Sequence, residues 1–317
     1  GTPVVWTSSD ESIITTTGIV NLPATETQVT LTATIGNSVR EFTTTVLPRN
    51  IANNLLARYD FETNDTFAEG NTTYVTDLSG NGNHMTVMGS AKVDGTLNLS
   101  SNQPTTFSTN GYGLAPKGLL KGLRSYTFII DANLANRGKM PRFYDFGANN
   151  GNSVFCRINS SFKYGAGEKL GGGTTLMVEA ASATQPLNET VTVAVTFDAA
   201  TKTTTIYANG KQVAQGTKVT YEAWQAAPNG NDGRNYIGRT QWWDNNSDNG
   251  DVVGTLDNFR LYDIALTAEE IANVTSDIKA CTKPLTDSCA LYSINGIRLE
   301  TEPSRGMFIK SGKKIIK

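Results

Sequence analysis

The chain has 317 residues, a formal net charge of -2 and a pI near 5.6. That length accommodates one large all-β domain plus something smaller, and the charge supplies no broad field for nucleic acid or anionic lipid, so neither is expected as a partner. The 27 Lys and Arg residues are scattered apart from Lys310, Lys313, Lys314 and Lys317, which read as a solvated tail. A single histidine, His84, rules out a multi-histidine zinc site and would have to serve any Ser-His-Asp triad alone. No apolar run approaches the roughly 20 residues that span a bilayer. No export signal opens the chain, and Gly1 reads as a processing remnant. Of the three cysteines, Cys281 and Cys289 are the expected pair, whereas Cys156, inside the apolar run SVFCRI, reads as a buried free thiol.

Residues 1–49 alternate with the period of two that marks strands: QVTLTATI puts Val29, Leu31 and Ala33 on one side, and EFTTTVL repeats the pattern. NLLARYDFE then sets Leu55, Ala57, Tyr59 and Phe61 against Leu56, Arg58, Asp60 and Glu62. In DLSGNGN, Asp77 is expected to close an Asx turn, with Gly80 and Gly82 at positive φ and His84 as a hydrogen-bonded structural residue. It is not a phosphate loop, because no Lys-Ser or Lys-Thr opens a helix behind it. SYTFIIDANL, SVFCRI, TTLMVEA, TVTVAVTFDA and GTLDNFRLYD read as strands, and TTTIYA with KQVAQ as a hairpin on a type I′ turn at Asn209-Gly210. The clearest helix is TAEEIANV, with a capping box from Thr267 to Glu270 and a staple of Leu266 on Ile271. The C-terminal residues form a small β unit, turning at Asn295-Gly296 and at Ser311-Gly312.

Three resemblances follow from these words. WTSSDESII, GIVNLP, VTLTATI and FTTTVLP resemble bacterial immunoglobulin-like modules, from the Trp6 strand onward, with the strands that normally precede the Trp missing. LLARYDFE, DLSGNGNHM, YIGR and GTLDNFRLYDIALTAEEI, in that order, resemble laminin-G-like, concanavalin A-like domains. The C-terminal unit resembles the tails that secreted bacterial proteins use for sorting or anchoring. The expected organisation is therefore an all-β chain: a partial Ig-like module at 1–49, a jelly-roll sandwich at 50–279 and a short β tail at 280–317. The Thr-, Asn-, Ser- and Gly-rich composition is that of many secreted bacterial β proteins, so a secreted, periplasmic or cell-surface location is expected.

The concanavalin A-like resemblance implies a structural calcium ion between the first and last strands. The positions that match are Glu62 and Asp257, with Asp60 and Asn64 as lesser partners. A sugar offers CH faces to aromatic rings and hydroxyls to amides, carboxylates and guanidinium groups. The candidates for that work are Trp242, Trp243 and Trp224 as platforms, with Arg239, Asp244, Asn246 and Tyr144 as polar or stacking neighbours. On a strand, adjacent Trp242 and Trp243 point to opposite faces, so at most one meets a ligand while the other packs inward. QWWDNNSDNGD begins like an EF-hand, with Asp244, Asn246 and Asp248 at alternate positions. It fails as one, because Gly250 falls one place late and Thr255 stands where a bidentate Glu is required.

Glycoside hydrolysis needs two carboxyls flanking the scissile bond, and the interior strands offer Glu179 alone in TTLMVEA and Asp198 alone in TVTVAVTFDA. FKYGAG resembles an alginate-lyase strand, but the accompanying Gln-x-His and Arg/Glu strands are missing. The leading expectation is thus a noncatalytic carbohydrate-binding or accessory region, taking a polysaccharide or oligosaccharide and attached to a glycoside hydrolase. The alternatives are a jelly-roll hydrolase or lyase with carboxylates from distant strands, and a protein-binding adhesion module.

Overall fold

A computed structural model of the chain describes residues 3–23, 25–102, 109–136, 140–149, 151–242 and 250–275, with the backbone of 276–281, 291–293, 298–299, 307–310 and 313–316. The chain divides into two compact units, Gly1–Ala272 and Asn273–Lys317.

The first unit opens with a three-stranded antiparallel sheet of β1 (Val5–Ser8), β2 (Thr27–Ile35) and β3 (Ser38–Val46), in the order β1-β2-β3. The alternation works as read: Val29 is fully buried and clusters with Ile14 and Val46, with Leu31 packed beside them. At the other end of that face Trp6 and Phe42 stay exposed, their rings 5.9 Å apart.

A larger sandwich follows. The chain supplies β4 (Leu55–Tyr59), β5 (Thr66–Glu69), β6 (Thr72–Val75), β7 (Met85–Met88), β8 (Lys92–Val93), β9 (Leu97–Asn98) and β10 (Tyr112–Ala115). Longer strands come next: β11 (Tyr126–Leu134), β12 (Arg142–Asn149), β13 (Asn152–Ile158), β14 (Lys163–Lys169) and β15 (Leu176–Thr184). β16 (Thr190–Asp198), β17 (Thr203–Ala208), β18 (Lys211–Gly216), β19 (Asn235–Ile237) and β20 (Gly254–Tyr262) complete it. One sheet has nine strands in the order β15-β14-β13-β12-β19-β10-β7-β6-β5, the other eight in the order β18-β17-β16-β11-β20-β9-β8, with β4 also paired to β20. The two inner faces meet through aromatic rings. Phe128 of β11 stacks on Tyr144 of β12 at 3.9 Å and 12°, and Phe146, Phe259 and Tyr59 continue the layer. Rings of this size dominate core burial.

The local signals hold. Asp77 accepts the Ser79 N–H at 2.9 Å, Gly80 and Gly82 lie at φ +88° and +74°, and His84 Nδ1 accepts the Asp77 N–H at 3.0 Å. Asn209 and Gly210 both take positive φ, +49° and +76°, as a type I′ turn between β17 and β18 requires. Thr267 and Glu270 cap reciprocally, at 2.8 and 3.2 Å, and Leu266 and Ile271 are both buried. The helix they open, α1, runs Ala268–Cys281, seven residues beyond the Val274 end expected for it. No Gly or Pro interrupts the chain before Pro284, so nothing in the local sequence stops it earlier. Arg49 ties the end of the first sheet to this capping box through Glu270, with Nε 3.0 Å from Oε1. Cys156 is buried and free.

In the second unit, β21 (Leu291–Ser293), β22 (Arg298–Leu299), β23 (Met307–Lys310) and β24 (Lys313–Ile316) form an antiparallel sheet in the order β22-β21-β23-β24. The turns expected at Asn295-Gly296 and Ser311-Gly312, and Cys289 with its expected bridge to Cys281, lie outside the described residues.

Candidate functional site

Trp243, Asp244 and Asn246 lie outside the described residues. Trp242 is described, and it sits in a turn rather than on a strand, so strand alternation does not decide where its ring points. It lies over the outer face of the nine-stranded sheet. Register places Arg142 opposite Arg157 and Asp145 opposite Phe155 on that face, while Tyr144, Cys156, Phe146 and Val154 point to the core. Gln241 folds onto it, donating its backbone N–H to Asp145 Oδ2 at 2.9 Å and its amide to Asp145 O at 3.2 Å. Beneath, Arg142 pairs with Asp145 at 3.2 Å and lies 3.7 Å from the Phe155 ring centroid. Burial pushes the Arg142 guanidinium down to about 10 and raises the Asp145 carboxyl. The ammonium of Lys169 stands 3.9 Å from the Trp242 ring centroid, so an indole face is already engaged by a cation.

Arg239 is likewise interior, 7% exposed, with its guanidinium 4.4 Å from the Tyr112 ring centroid. Next to it Asp251 is pushed up to about 6 by burial, against the pull of Arg239 and the Asn110 and Thr240 hydrogen bonds. Tyr144 is a correction to the sequence reading. At 1% exposure and stacked on Phe128 it is core, because even-numbered positions of this part of β12 face the opposing sheet, and it presents no ring to a ligand.

Trp224 lies in a different place, and it lines an open cleft of about 530 Å³ together with Gly122, Arg124, Glu222 and Gln225. A 3-10 turn at Ala223–Ala226 presents the indole. That turn is pinned to the segment before β11 by the Trp224 N–H, which donates to Leu123 O at 2.9 Å. Glu222 gathers the polar groups: Arg124 Nε and Nη2 reach its two oxygens at 2.9 and 3.0 Å, Trp224 Nε1 donates at 2.7 Å and Lys202 Nζ lies at 3.4 Å. These donors, led by Arg124, hold the Glu222 carboxyl down at about 2. Gln225 spends its Oε1 on the Glu222 N–H, at 2.8 Å. The indole is therefore fixed by its edge while part of its surface remains accessible, as a stacking platform requires. Sequence reading singled out Trp224 and missed Arg124, Glu222 and Gln225. Glu222 and Gln225 surround Trp224 in YEAWQ, whereas Arg124 is brought in from 98 positions away.

The acidic positions near the first and last strands also converge. Asp131 of β11 stands opposite Asp257 of β20, just where the register shifts and Asn258 takes φ +51°. Burial raises Asp257 to about 7, helped by Asp131, Glu62 and Asp60. Asp131 keeps Oδ1 buried and without a hydrogen-bond partner, while its Oδ2 accepts from Asn258 at 3.0 Å. Asp60 is engaged by Arg58, and Glu62 and Asn64 are exposed beside it. All-oxygen donors with uncompensated negative charge suit a hard cation. Among the described residues, however, no three carboxylate, imidazole or thiol groups close on one point as a metal cage.

The fold and these faces define a concanavalin A-like sandwich. The chain belongs to the concanavalin A-like lectin/glucanases superfamily, whose family model matches residues 107–272, and residues 1–49 match the atrophied bacterial Ig domain. No curated protein sequence matches the chain. Among solved structures it is similar to the CBM40 of Ruminococcus gnavus IT-sialidase bound to alpha2,3 sialyllactose, with 16% identity and TM-score 0.41 over 48% of this chain and 83% of that one. It is similar to domain 4 of AbnA, an extracellular arabinanase from Geobacillus stearothermophilus in complex with arabinotriose, with 18% identity and TM-score 0.41 over 69% and 97% of the two chains. It is similar also to Trypanosoma rangeli sialidase, with 11% identity and TM-score 0.47 over 80% of this chain and 44% of that one.

Proposed function

We propose that this chain is a noncatalytic carbohydrate-binding region of a secreted bacterial polysaccharide-degrading protein, and that the Trp224 cleft holds the sugar. The observation that carries the reading is the construction of that cleft: an indole anchored through Nε1 beside a guanidinium and an amide on an open floor. It offers the CH-stacking surface and hydroxyl partners that saccharides use. Its one carboxyl, Glu222, is bonded by Arg124, Trp224 and Lys202 and held at about 2, so it has no proton to give near neutral pH and serves as a brace. Membership of a lectin/glucanase superfamily supports the same reading.

Within it, residues 1–49 act as an Ig-like spacer, 50–279 as the binding sandwich and 280–317 as a sorting or anchoring tail, with a glycoside hydrolase as the attached catalytic partner. A structural calcium ion would be held by Glu62 and Asp257 with backbone oxygens from nearby loops, and with Asp60 and Asn64 as lesser partners, where it would offset the charge that raises Asp257. The test is affinity electrophoresis against a broad panel of plant and host polysaccharides, with Trp224→Ala as the comparison. Retardation by at least one glycan, lost in the variant, is the expected result. No retardation across the panel sinks the proposal, and reducing-sugar release at high protein concentration replaces it with the hydrolase alternative.

A further inference from the structure

The charges around the cleft do not balance. Arg124 and Lys202 both reach Glu222, so two cations share one carboxylate. A second carboxyl within electrostatic reach of Lys202 is Glu168, which burial pushes up to about 7, so it is only partly ionised near neutrality. A guanidinium has two edges that can each grip a carboxylate, and Glu222 takes only the Nε and Nη2 edge of Arg124. No bond from Nη1 is formed among the described residues, and the side chain is 71% exposed where it lines the cleft. Glu222 thus fixes one edge of the guanidinium, and the Nη1 and Nη2 edge is left for a ligand.

We propose that the Trp224 cleft selects acidic sugars, with a sugar carboxylate gripped by the Nη1 and Nη2 edge of Arg124 while the ring stacks on Trp224. This rests on the carbohydrate-binding reading above and names its ligand class. The carboxylate supplies the counter-charge that Lys202 and Arg124 together lack. Gly122 keeps the approach clear: it lies at φ +73°, and a Cβ built on it meets nothing within 4 Å.

The experiment measures affinity of the full chain for polygalacturonate, alginate and hyaluronan, for methyl-esterified polygalacturonate, which has the same backbone with its charge removed, and for a sulfated galactan. At least one carboxylated glycan should bind about tenfold or more tightly than its uncharged counterpart, with the advantage shrinking as salt is raised. Arg124→Gln should abolish the preference, and Arg124→Lys, which keeps the charge but loses the fork, should restore only part of it. A thermal melt checks that both variants remain folded. Equal affinity for charged and esterified forms, or an unchanged preference in Arg124→Gln, overturns the inference while leaving a neutral-sugar site at Trp224 standing. Preference for the sulfated galactan alone also overturns it. If no glycan of any charge binds, the carbohydrate reading itself fails.

Discussion

Arg124 and Glu222 face each other as a forked pair across 98 positions of chain, Nε to Oε2 at 2.9 Å and Nη2 to Oε1 at 3.0 Å. Because the Arg124 side chain is largely exposed, solvent screens the pair, and its main effect is to hold Trp224 and the guanidinium in one arrangement. The Glu222 carboxyl sits at about 2 against an ordinary 4.5. A carboxyl lowered in this way contributes stability that is fully present above its unfolded value and lost as pH falls through the folded one. The melting-temperature gap between wild type and Glu222→Gln should therefore be steady near neutrality and close as pH drops from about 4.5 toward 2. A gap that stays constant down to the acid limit would mean that the pair does not form in solution.

Tyr144 supplies a test of the corrected site. Its ring fills the contact between the two sheets against Phe128. Tyr144→Ala should cost about 3–5 kcal/mol by urea unfolding, the usual range for emptying a buried aromatic site. Tyr144→Phe keeps the ring and should leave glycan retardation unchanged. Loss of binding in a well-folded Tyr144→Phe protein would return this residue to the ligand face.

Glu168 gives the opposite pH signature to Glu222. It is 1% exposed, and burial raises its carboxyl from 4.5 to about 7, although Oε1 accepts from the Thr220 and Tyr221 N–H groups at 3.3 and 3.2 Å. Raising an acid's folded value means that ionisation opposes folding, so stability is lost as pH rises from about 4.5 to about 7. Glu168→Gln should flatten that loss, gaining up to roughly 3 kcal/mol on wild type at pH 8 and gaining little at pH 4. Parallel stability curves for the two proteins between those limits would show that the carboxyl is solvated.

Asp257 reports on the cation. Without metal, its carboxyl is raised to about 7 by burial and by Asp131, Glu62 and Asp60, so ionisation of this group costs stability as pH rises from 3.8 to about 7. At pH 8 in EDTA, Asp257→Asn should melt above wild type. In excess calcium the order should reverse, since wild type would gain about 2.7 kcal/mol at a hundredfold excess over Kd and the variant little. A wild-type melting temperature indifferent to EDTA and to added calcium removes the metal site.

Much of the architecture was legible in the linear chain because it depends on neighbours one to four positions apart. Alternation placed Ala57 and Tyr59 on the buried side of β4, and Asn209-Gly210 formed the hairpin turn that only positive φ at both positions allows. The capping box of Thr267 with Glu270 and the Asx turn at Asp77 are likewise closed by atoms within three residues of each other. The choice of which polar and aromatic residues share a surface was not local. Tyr144 and Trp242 both read as ligand groups, yet register buries the first against Phe128 and folding of the turn places the second beside Lys169. Asp131 joined Asp257 because β11 and β20 are neighbours in the sheet, 126 positions apart in number. The cleft at Trp224 exists because Leu123 and Arg124 are carried to it from a distant strand entry. Periodicity and turn chemistry specify strands and turns from within a few residues, whereas a site is made where strands distant in sequence come together, and only the packed sandwich determines which ones those are.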